Sequence, residues 1–415
     1  MSEGGALARD AAQAVARESY GKLVAFLAAR TRDVAAAEDA LSEAFAAALE
    51  TWPLRGVPDN PQAWLLTAAR RKAIDAGRRR RRGEDAASHL ALLAEEMVTQ
   101  PQADIPDERL ALMFACAHPA IDEAVRAPLI LQTVLGFDAA AIASAFLVAP
   151  SAMGQRLVRA KAKIRGAGIP FRVPARDELR PRLDAVLQAI YAAYAEGWSD
   201  PAGTDPRRRN LAGEAIWLGR LVASLLPEEP EALGLLALML HSEARRAARR
   251  DAGGDFVPLG EQDIALWDAA AMDQAETLLR RAGAMHILGR FQLEAAIQSA
   301  HNVRRLTGGP DWHAILALYD ALFALAASPV VAINRAVALA ETAGAEEGLA
   351  ALDALSADPR LAQHQPYWAA RAELLARQGR IAQADDAYEQ AIGLQADPAI
   401  RAFLQRRRAR LATRH

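Results

Sequence analysis

The chain has 415 residues, with 49 Lys and Arg against 51 Asp and Glu, a formal net charge of -2 and one cysteine. That length allows two or three domains with a substantial core. The near-balanced charge excludes a uniformly basic protein, so any surface for polyanions must be local. A single cysteine excludes an internal disulfide framework and suits a reducing compartment.

The N-terminus, MSEGGALARDAAQ, lacks the basic-then-apolar order of a secretory signal. The most apolar candidate helix, Ala232 to Leu240, is too short to span a bilayer. Alanine, leucine and arginine dominate and alternating Val/Ile/Thr runs are almost absent. We therefore expect an all-α, cytoplasmic protein with no membrane partner.

Ala14 to Ala29 is predicted as the first helix, with Tyr20, Leu23, Val24 and Leu27 on one face. A second runs from about Val34 to Glu50, its apolar stripe formed by Ala37, Ala40, Leu41, Ala44, Phe45 and Ala48. Trp52-Pro53 is expected to end it, and a Pro/Gly-rich loop leads to Pro61. Glu38, Asp39 and Glu43 lie close to Phe45 and Trp52, an acid-rimmed aromatic patch suited to docking another protein.

Asn60 to Arg82 is a turn followed by an amphipathic helix that becomes strongly cationic. Arg70, Arg71, Lys72, Arg78, Arg79, Arg80, Arg81 and Arg82 face one acid, Asp75. Such a density of like charge repels itself, and a polyphosphate is its commonest counterpart. Trp64 reads as core and Asn60 as a helix cap. The loop Pro53 to Pro61 is the better candidate for capturing an unstacked base. Beyond Gly83 periodicity is lost, and residues 84–105 read as a linker.

A helical unit is expected from Asp107 to about Gly168. Within it, a short helix from Ala139 to Phe146, a turn at Leu147 to Pro150, and a longer helix from Ser151 to Gly166 have helix-turn-helix spacing. Ser151 is the expected N-cap. The longer helix carries Gln155, Arg156, Arg159, Lys161, Lys163 and Arg165 without an acid, while Leu157, Val158 and Ile164 are assigned to its buried side. Gln155, Arg156 and Arg159 are placed to read base edges, and Lys161, Lys163 and Arg165 to hold phosphates.

Pro170 and Pro174 mark a boundary, after which helix follows helix. Tyr367, Ala372, Leu375, Gly379, Ala384, Tyr388, Ala391 and Pro398 follow the small/large/Gly/small/aromatic/Ala/Pro order of a tetratricopeptide repeat. A weaker unit precedes it, around Ala336, Gly344, Leu349 and Pro359. Arginine groups in the tail (Arg207 to Arg209, Arg245-Arg246 with Arg249-Arg250, and Arg406 to Arg408) read as solvated surface.

The order of these motifs resembles bacterial sigma factors of the extracytoplasmic-function (ECF) group. Glu38 to Phe45 followed by Trp52 resembles the helix that binds core RNA polymerase, which implies Glu38, Asp39, Glu43, Phe45 and Trp52 as contacts. Pro58 to Asp75 with the arginine run resembles the segment that opens the -10 promoter element. The resemblance implies Asn60, Arg70, Arg71, Lys72, Asp75, Arg78, Arg79 and Arg80 there. Asp107 through Pro170 is similar to the domain that reads the -35 element, with Ser151, Gln155, Arg156, Arg159, Lys161 and Lys163 as its implied DNA contacts.

The tail motifs Glu196-Gly197-Trp198, Glu214 to Leu221, Gln292 to Ile297 and Asn334 to Ala338 resemble a long-tailed ECF subgroup with a tetratricopeptide-like C-terminal domain. Ala193-Tyr194-Ala195 depart from that subgroup, which tends to have an Asn and more aromatics there. The implied organisation is sigma domain two in 1–85, a linker in 86–105, sigma domain four in 106–172 and a helical extension in 173–415. Core polymerase and promoter DNA are the expected partners, with a peptide or protein regulator on the extension.

Two other readings compete. A helix-turn-helix regulator with a sensor tail would need one DNA-binding unit, and it gives no task to the Asn60–Arg82 helix. An enzyme would need a site. Cys116 and His118 are close in sequence, but no further ligands share their spacing and no glycine-rich phosphate loop follows a strand, so a structural pair is expected, with no cofactor and no metal.

Overall fold

Helices supply nearly all regular structure in the computed structural model, which describes residues 3–31, 34–81, 107–166, 174–199 and 211–412. Among those residues there is no strand, only an isolated bridge between Arg250 and Phe256. The protein is all-α, and its chain divides into two compact units. The first comprises residues 1–197 and 205–218, the second residues 198–204 and 219–415.

The first unit begins with three mutually packed helices, α1 (Glu3–Thr31), α2 (Val34–Arg55) and α3 (Pro61–Arg81). Leu23, Val24 and Leu27 of α1 meet Leu41 and Trp52 of α2 and Leu65 of α3 in a core where all six are buried. The alanine stripe of α2 (Ala37, Ala40, Ala44, Ala48) is buried too, and these short side chains let neighbouring helices approach closely. α1 starts well before the predicted Ala14, because Ala8 and Ala12 extend its buried face. α2 does not end at Trp52-Pro53. Proline removes one backbone bond in the last turn, and the helix stops where Gly56 takes φ +85, its N–H donating to Trp52 O at 2.9 Å. α3 then starts as its sequence dictates: Asn60 Oδ1 accepts from Ala63 N at 3.0 Å, and Pro61 fills the first helical position.

Aspartates open the next three helices. Asp107 caps α4 (Glu108–Cys116), Asp122 caps α5 (Glu123–Thr133) and Asp138 caps α6 (Ala139–Ala145). α7 (Pro150–Gly166) follows with a bend of 109° from α6. The turn between them contains Leu147 at φ 52, a left-handed conformation that breaks the helix where no glycine is present. Ser151, expected as the N-cap, lies inside α7. Proline suits the first helical position, so the helix starts one residue earlier at Pro150.

α8 (Arg180–Ser199) and the start of α9 (Leu211–Leu225) also belong to the first unit. Gly197 permits their close approach, since a Cβ there would lie 2.5 Å from Ala212 N. Buried Arg182 of α8 donates to Phe114 O of α4 at 3.2 Å, tying α8 to α4.

The second unit is a succession of packed helices: α10 (Pro230–Glu243), α11 (Ala269–Gly283), α12 (Arg290–Asn302), α13 (Trp312–Leu325), α14 (Pro329–Thr342), α15 (Ala345–Asp353), α16 (Gln365–Arg377), α17 (Ile381–Leu394) and α18 (Pro398–Ala409). The residues chosen for the last repeat form the hairpin α16–α17. Gly379 turns at φ +72, and Ala372, Leu375, Ala384, Tyr388 and Ala391 are buried between its helices. The weaker unit is the hairpin α14–α15, with Gly344 at φ +120. Two glycines set the helix spacing. A Cβ at Gly234 would lie 2.7 Å from Gln292 N, and one at Gly348 would lie 2.4 Å from Ala340 Cβ. Glu231 of α10 caps α12 from across the interface, accepting from Phe291 N at 2.9 Å and Gln292 N at 3.1 Å.

Candidate nucleic-acid and protein interface

On α3, helical periodicity buries Leu65 and Ala69 and turns Arg70 and Arg71 to solvent. The Arg70 guanidinium lies 5.8 Å from the Phe26 ring centroid of α1, a cation–π contact that steadies the side chain without a carboxylate. Lys72 pairs with Glu43 of α2 at 3.3 Å, with both side chains about half exposed. Such a pair contributes about 0–1 kcal/mol and exchanges readily with solvent ions or phosphates. The side chains of Asp75, Arg78, Arg79 and Arg80 lie outside the described residues.

The expected acid-rimmed aromatic patch on α2 is arranged differently from its sequence order. Asp39 and Glu43 are exposed, but Glu38 is 9% exposed and Trp52 only 2%. Trp52 packs edge-on to Trp64, with centroids 5.5 Å apart, and Phe45 is half-buried at 6.3 Å from Tyr20. Trp52 therefore stiffens the α2–α3 joint from inside and presents no ring for docking. Its place in the last turn of α2 points it back onto the preceding, buried face. Asp39, Glu43 and exposed Leu49 and Leu54 form the accessible part of α2.

α7 buries Met153, Leu157 and Ala160 and exposes Gln155, Arg156, Arg159 and Lys163, with Ser151 also exposed. Val158, assigned to the buried side, is 68% exposed. It sits three residues after Gln155 and next to Arg159, on their face of the helix. Arg159 Nε reaches back to Gln155 O at 3.3 Å. The face is thus cationic and amide-bearing with an apolar spot at its centre, the combination that major-groove edges and thymine methyl groups accept.

Lys161, expected among the phosphate-holding residues, faces inward. Its Nζ lies 2.6 Å from Glu38 Oε2 of α2, with the two side chains 24% and 11% exposed. This contact spans 123 positions of sequence and could not be read from any local pattern. A second unforeseen junction involves Arg109 of α4, which pairs with Glu214 of α9 at 3.3 Å while its guanidinium lies 5.2 Å from the Trp217 ring.

Cys116 is buried, and that burial, reinforced by the nearby Glu38 carboxylate, pushes its thiol far above the usual range. It is no nucleophile in this setting. His118 accepts from Ala120 N at 3.1 Å through Nδ1 and shapes the turn after α4. Among the described residues no three His, Cys, Asp or Glu side chains are grouped to hold a metal ion, and no single helix is long and apolar enough to cross a membrane.

The arginines of the tail are more engaged than a solvated surface would be. Arg245 is 6% exposed and donates to Asn302 Oδ1 at 3.0 Å, and Asn302 Nδ2 is 3.0 Å from Nδ1 of fully buried His241. Arg246 pairs with Glu243, Arg250 with Asp397, and Arg406, Arg407 and Arg408 with Asp255, Glu261 and Asp385. Arg207 to Arg209 lie outside the described residues. Burial in this network, with Arg245 and Arg305 nearby, pushes His241 down to about 4.

Comparison with known proteins adds family information. Residues 15–83, which contain α2 and α3, match sigma-70 region 2. Residues 182–283 match a family of unknown function (DUF6596). The chain is similar to the uncharacterized protein R00370 of Rhizobium meliloti (strain 1021), at 37% identity over 380 residues, covering 90% of this chain and 89% of that protein. No solved structure matches.

Proposed function

The chain belongs to the same family as the rhizobial R00370 protein and carries a sigma-70 region 2, and from that premise we propose that it is an alternative sigma factor of the long-tailed ECF kind. It binds core RNA polymerase in the cytoplasm and directs promoter-specific initiation. The observation that carries the reading is the match over residues 15–83, the stretch in which an acidic helix precedes a helix of clustered arginines.

In this reading α2 offers Asp39 and Glu43 to the polymerase, with Glu38 joining them once released. Phe45 and Trp52 back that face from within. Asn60, Arg70, Arg71, Lys72, Arg78, Arg79 and Arg80 hold phosphates around the -10 element, and Asp75 tempers their mutual repulsion. Region 106–172 is the second DNA-binding domain. The 109° bend between α6 and α7 suits a helix-turn-helix, and Gln155, Arg156 and Arg159 are exposed on α7 to meet base edges of the -35 element, with Lys163 on phosphate. Ser151, near the start of α7, is close enough to the helix N-terminus to approach a phosphate. The activity is binding and melting, with no bond-making step.

The tetratricopeptide-like extension is regulatory, and its helical hairpins supply a surface for a peptide or protein partner. α8 and the start of α9 support α4, so a truncation that tests the extension belongs after Leu225. An extension without a regulatory role would leave transcription and cellular amount unchanged.

Reconstituted transcription tests the central proposal. Purified chain plus core polymerase is expected to initiate from specific promoters, with protection of two elements in footprints. A helix-turn-helix regulator would bind DNA but add no initiation to bare core enzyme, and that result would overturn the reading.

A further inference from the structure

From α10 to α18 the helices of the second unit pack mainly on neighbours one or two places away in the chain. An array of that kind has free ends, and small changes at each joint add up along it. Residues 250–261, between α10 and α11, reach the last helix, α18, although α11 to α17 lie between the two in sequence. We propose that this segment is a strap that fixes the curvature of the hairpin array, and that loss of its ion pairs lets the array open. The inference goes beyond the sigma reading and does not depend on it.

The strap grips α18 along much of its length. Arg250 pairs with Asp397, each side chain 18% exposed. Asp397 serves two elements at once, because its Oδ1 accepts from Ala399 N at 2.9 Å to cap α18 while its Oδ2 takes Arg250. Further along α18, Arg406 Nη1 lies 3.1 Å from Asp255 Oδ2, and Arg407 Nη2 lies 3.0 Å from Glu261 Oε1. Phe256 meets Phe403 edge to face, with centroids 5.4 Å apart. The Arg407 guanidinium is 5.3 Å from the Phe403 ring, so one arginine touches both an acid of the strap and the ring.

Root and grip are held by different forces. At the root, Asp251 Oδ1 accepts from Gly253 N and Asp255 N, both at 2.9 Å, and Gly254 turns at φ +83. Buried Gln262 donates to Val257 O at 3.3 Å, and Arg304, just after α12, donates to Leu259 O at 2.8 Å. Leu259 packs against a cluster that includes buried Trp267 and Met272. The grip on α18 is mainly ionic, and its acids Asp255 and Glu261 are 50% and 61% exposed. Exposed pairs contribute little one at a time and are screened by salt. The hairpins themselves share apolar cores, such as that of Ala372, Leu375, Ala384, Tyr388 and Leu404. Releasing the strap therefore leaves the hairpins folded and changes the angle summed along them. A closed array presents one preset surface, which spares a partner the cost of ordering it.

The test measures the distance between α11 and α18 in the full chain, with spin labels on cysteines introduced at exposed Ala270 and Gln405; native Cys116 is buried. One narrow distribution is expected at low salt. Raising salt to about 1 M, where the screening length falls to about 3 Å, should broaden and lengthen it while helicity stays constant. Asp255→Lys with Glu261→Lys should raise the open-to-closed ratio at low salt about tenfold. Adding Arg406→Glu and Arg407→Glu to that variant should bring the narrow distribution back, which a folding defect would not permit. A distribution unmoved by salt or by the double substitution would overturn the strap. So would a broad distribution in the wild-type chain at low salt, or a charge swap that fails to narrow it. No arm reads transcription, so failure here leaves the sigma reading untouched.

Discussion

Both units pack helices at backbone distance, and they differ in which residues of a candidate interface their ion pairs engage. In the second unit, helices meet at backbone distance. Gly234 lies against Gln292, Gly348 against Ala340, and Glu231 caps a helix that is not its own. Arg245, Asn302 and His241 add a buried network in which charge is fully enclosed. Within the first unit, α2 and α3 share a buried core as well, but the rims of α2, α3 and α7 carry the ion pairs Lys72–Glu43 and Lys161–Glu38, whose members phosphates or another protein can also satisfy. Close van der Waals packing allows no substitute partner, whereas charge pairing does.

The largest expected effect would break the tight side of this comparison. Gly234→Val forces a branched side chain into Gln292 backbone and should destabilise the second unit by about 3 kcal/mol, read as a lowered urea midpoint. A wild-type midpoint would mean that the α10–α12 crossing is looser than described.

Acid sharpens the same contrast. His241 is pushed down to about 4 from 6.5, first by burial and then by Arg245 and Arg305, so its neutral form contributes stability above pH 6.5 that disappears as pH falls toward 4. The loss is of order 3 kcal/mol. His301 behaves alike, through burial and Arg245. Urea unfolding at stepped pH should show the second unit weakening in that window, and His241→Asn should flatten the slope. A slope unaffected by the substitution would remove His241 as its source.

On the exchangeable side, Arg156→Ala should cost about 1–3 kcal/mol of discrimination between promoter sequences. Arg79→Ala should weaken all sequences alike and make the salt slope shallower. Salt titrations of binding to matched and scrambled promoters separate the two; equal, salt-independent losses would erase the division between readers and phosphate holders. The smallest effect belongs to Glu43→Ala. Loss of its half-exposed pair with Lys72 should change stability by less than about 1 kcal/mol, while polymerase binding, measured separately, should fall. A large stability change with normal polymerase binding would recast Glu43 as structural.

Much of the fold was legible because helix formation is local. Apolar spacing located α2 and α3, Asn60 marked a helix start, and Gly379 marked the turn of the α16–α17 hairpin. The errors came where two local signals compete. Pro53 did not end α2 because a last-turn proline forfeits only one bond, and Pro150 displaced Ser151 as the start of α7. Val158 was misassigned because an apolar side chain on an amphipathic helix fits either a core or a groove, and its exposure is set by what packs against the helix.

What the sequence determined by itself is the inventory of helices and the charge each carries, since periodicity, caps and composition act within a few residues. Where those charges end up was decided by tertiary structure alone. Glu38 and Lys161 look like members of two separate surfaces until folding brings them together across 123 positions, and Arg245 looks like solvated surface until it is buried against Asn302, itself bonded to buried His241. Electrostatic partnership depends on distance in space, and no spacing along the chain encodes that distance.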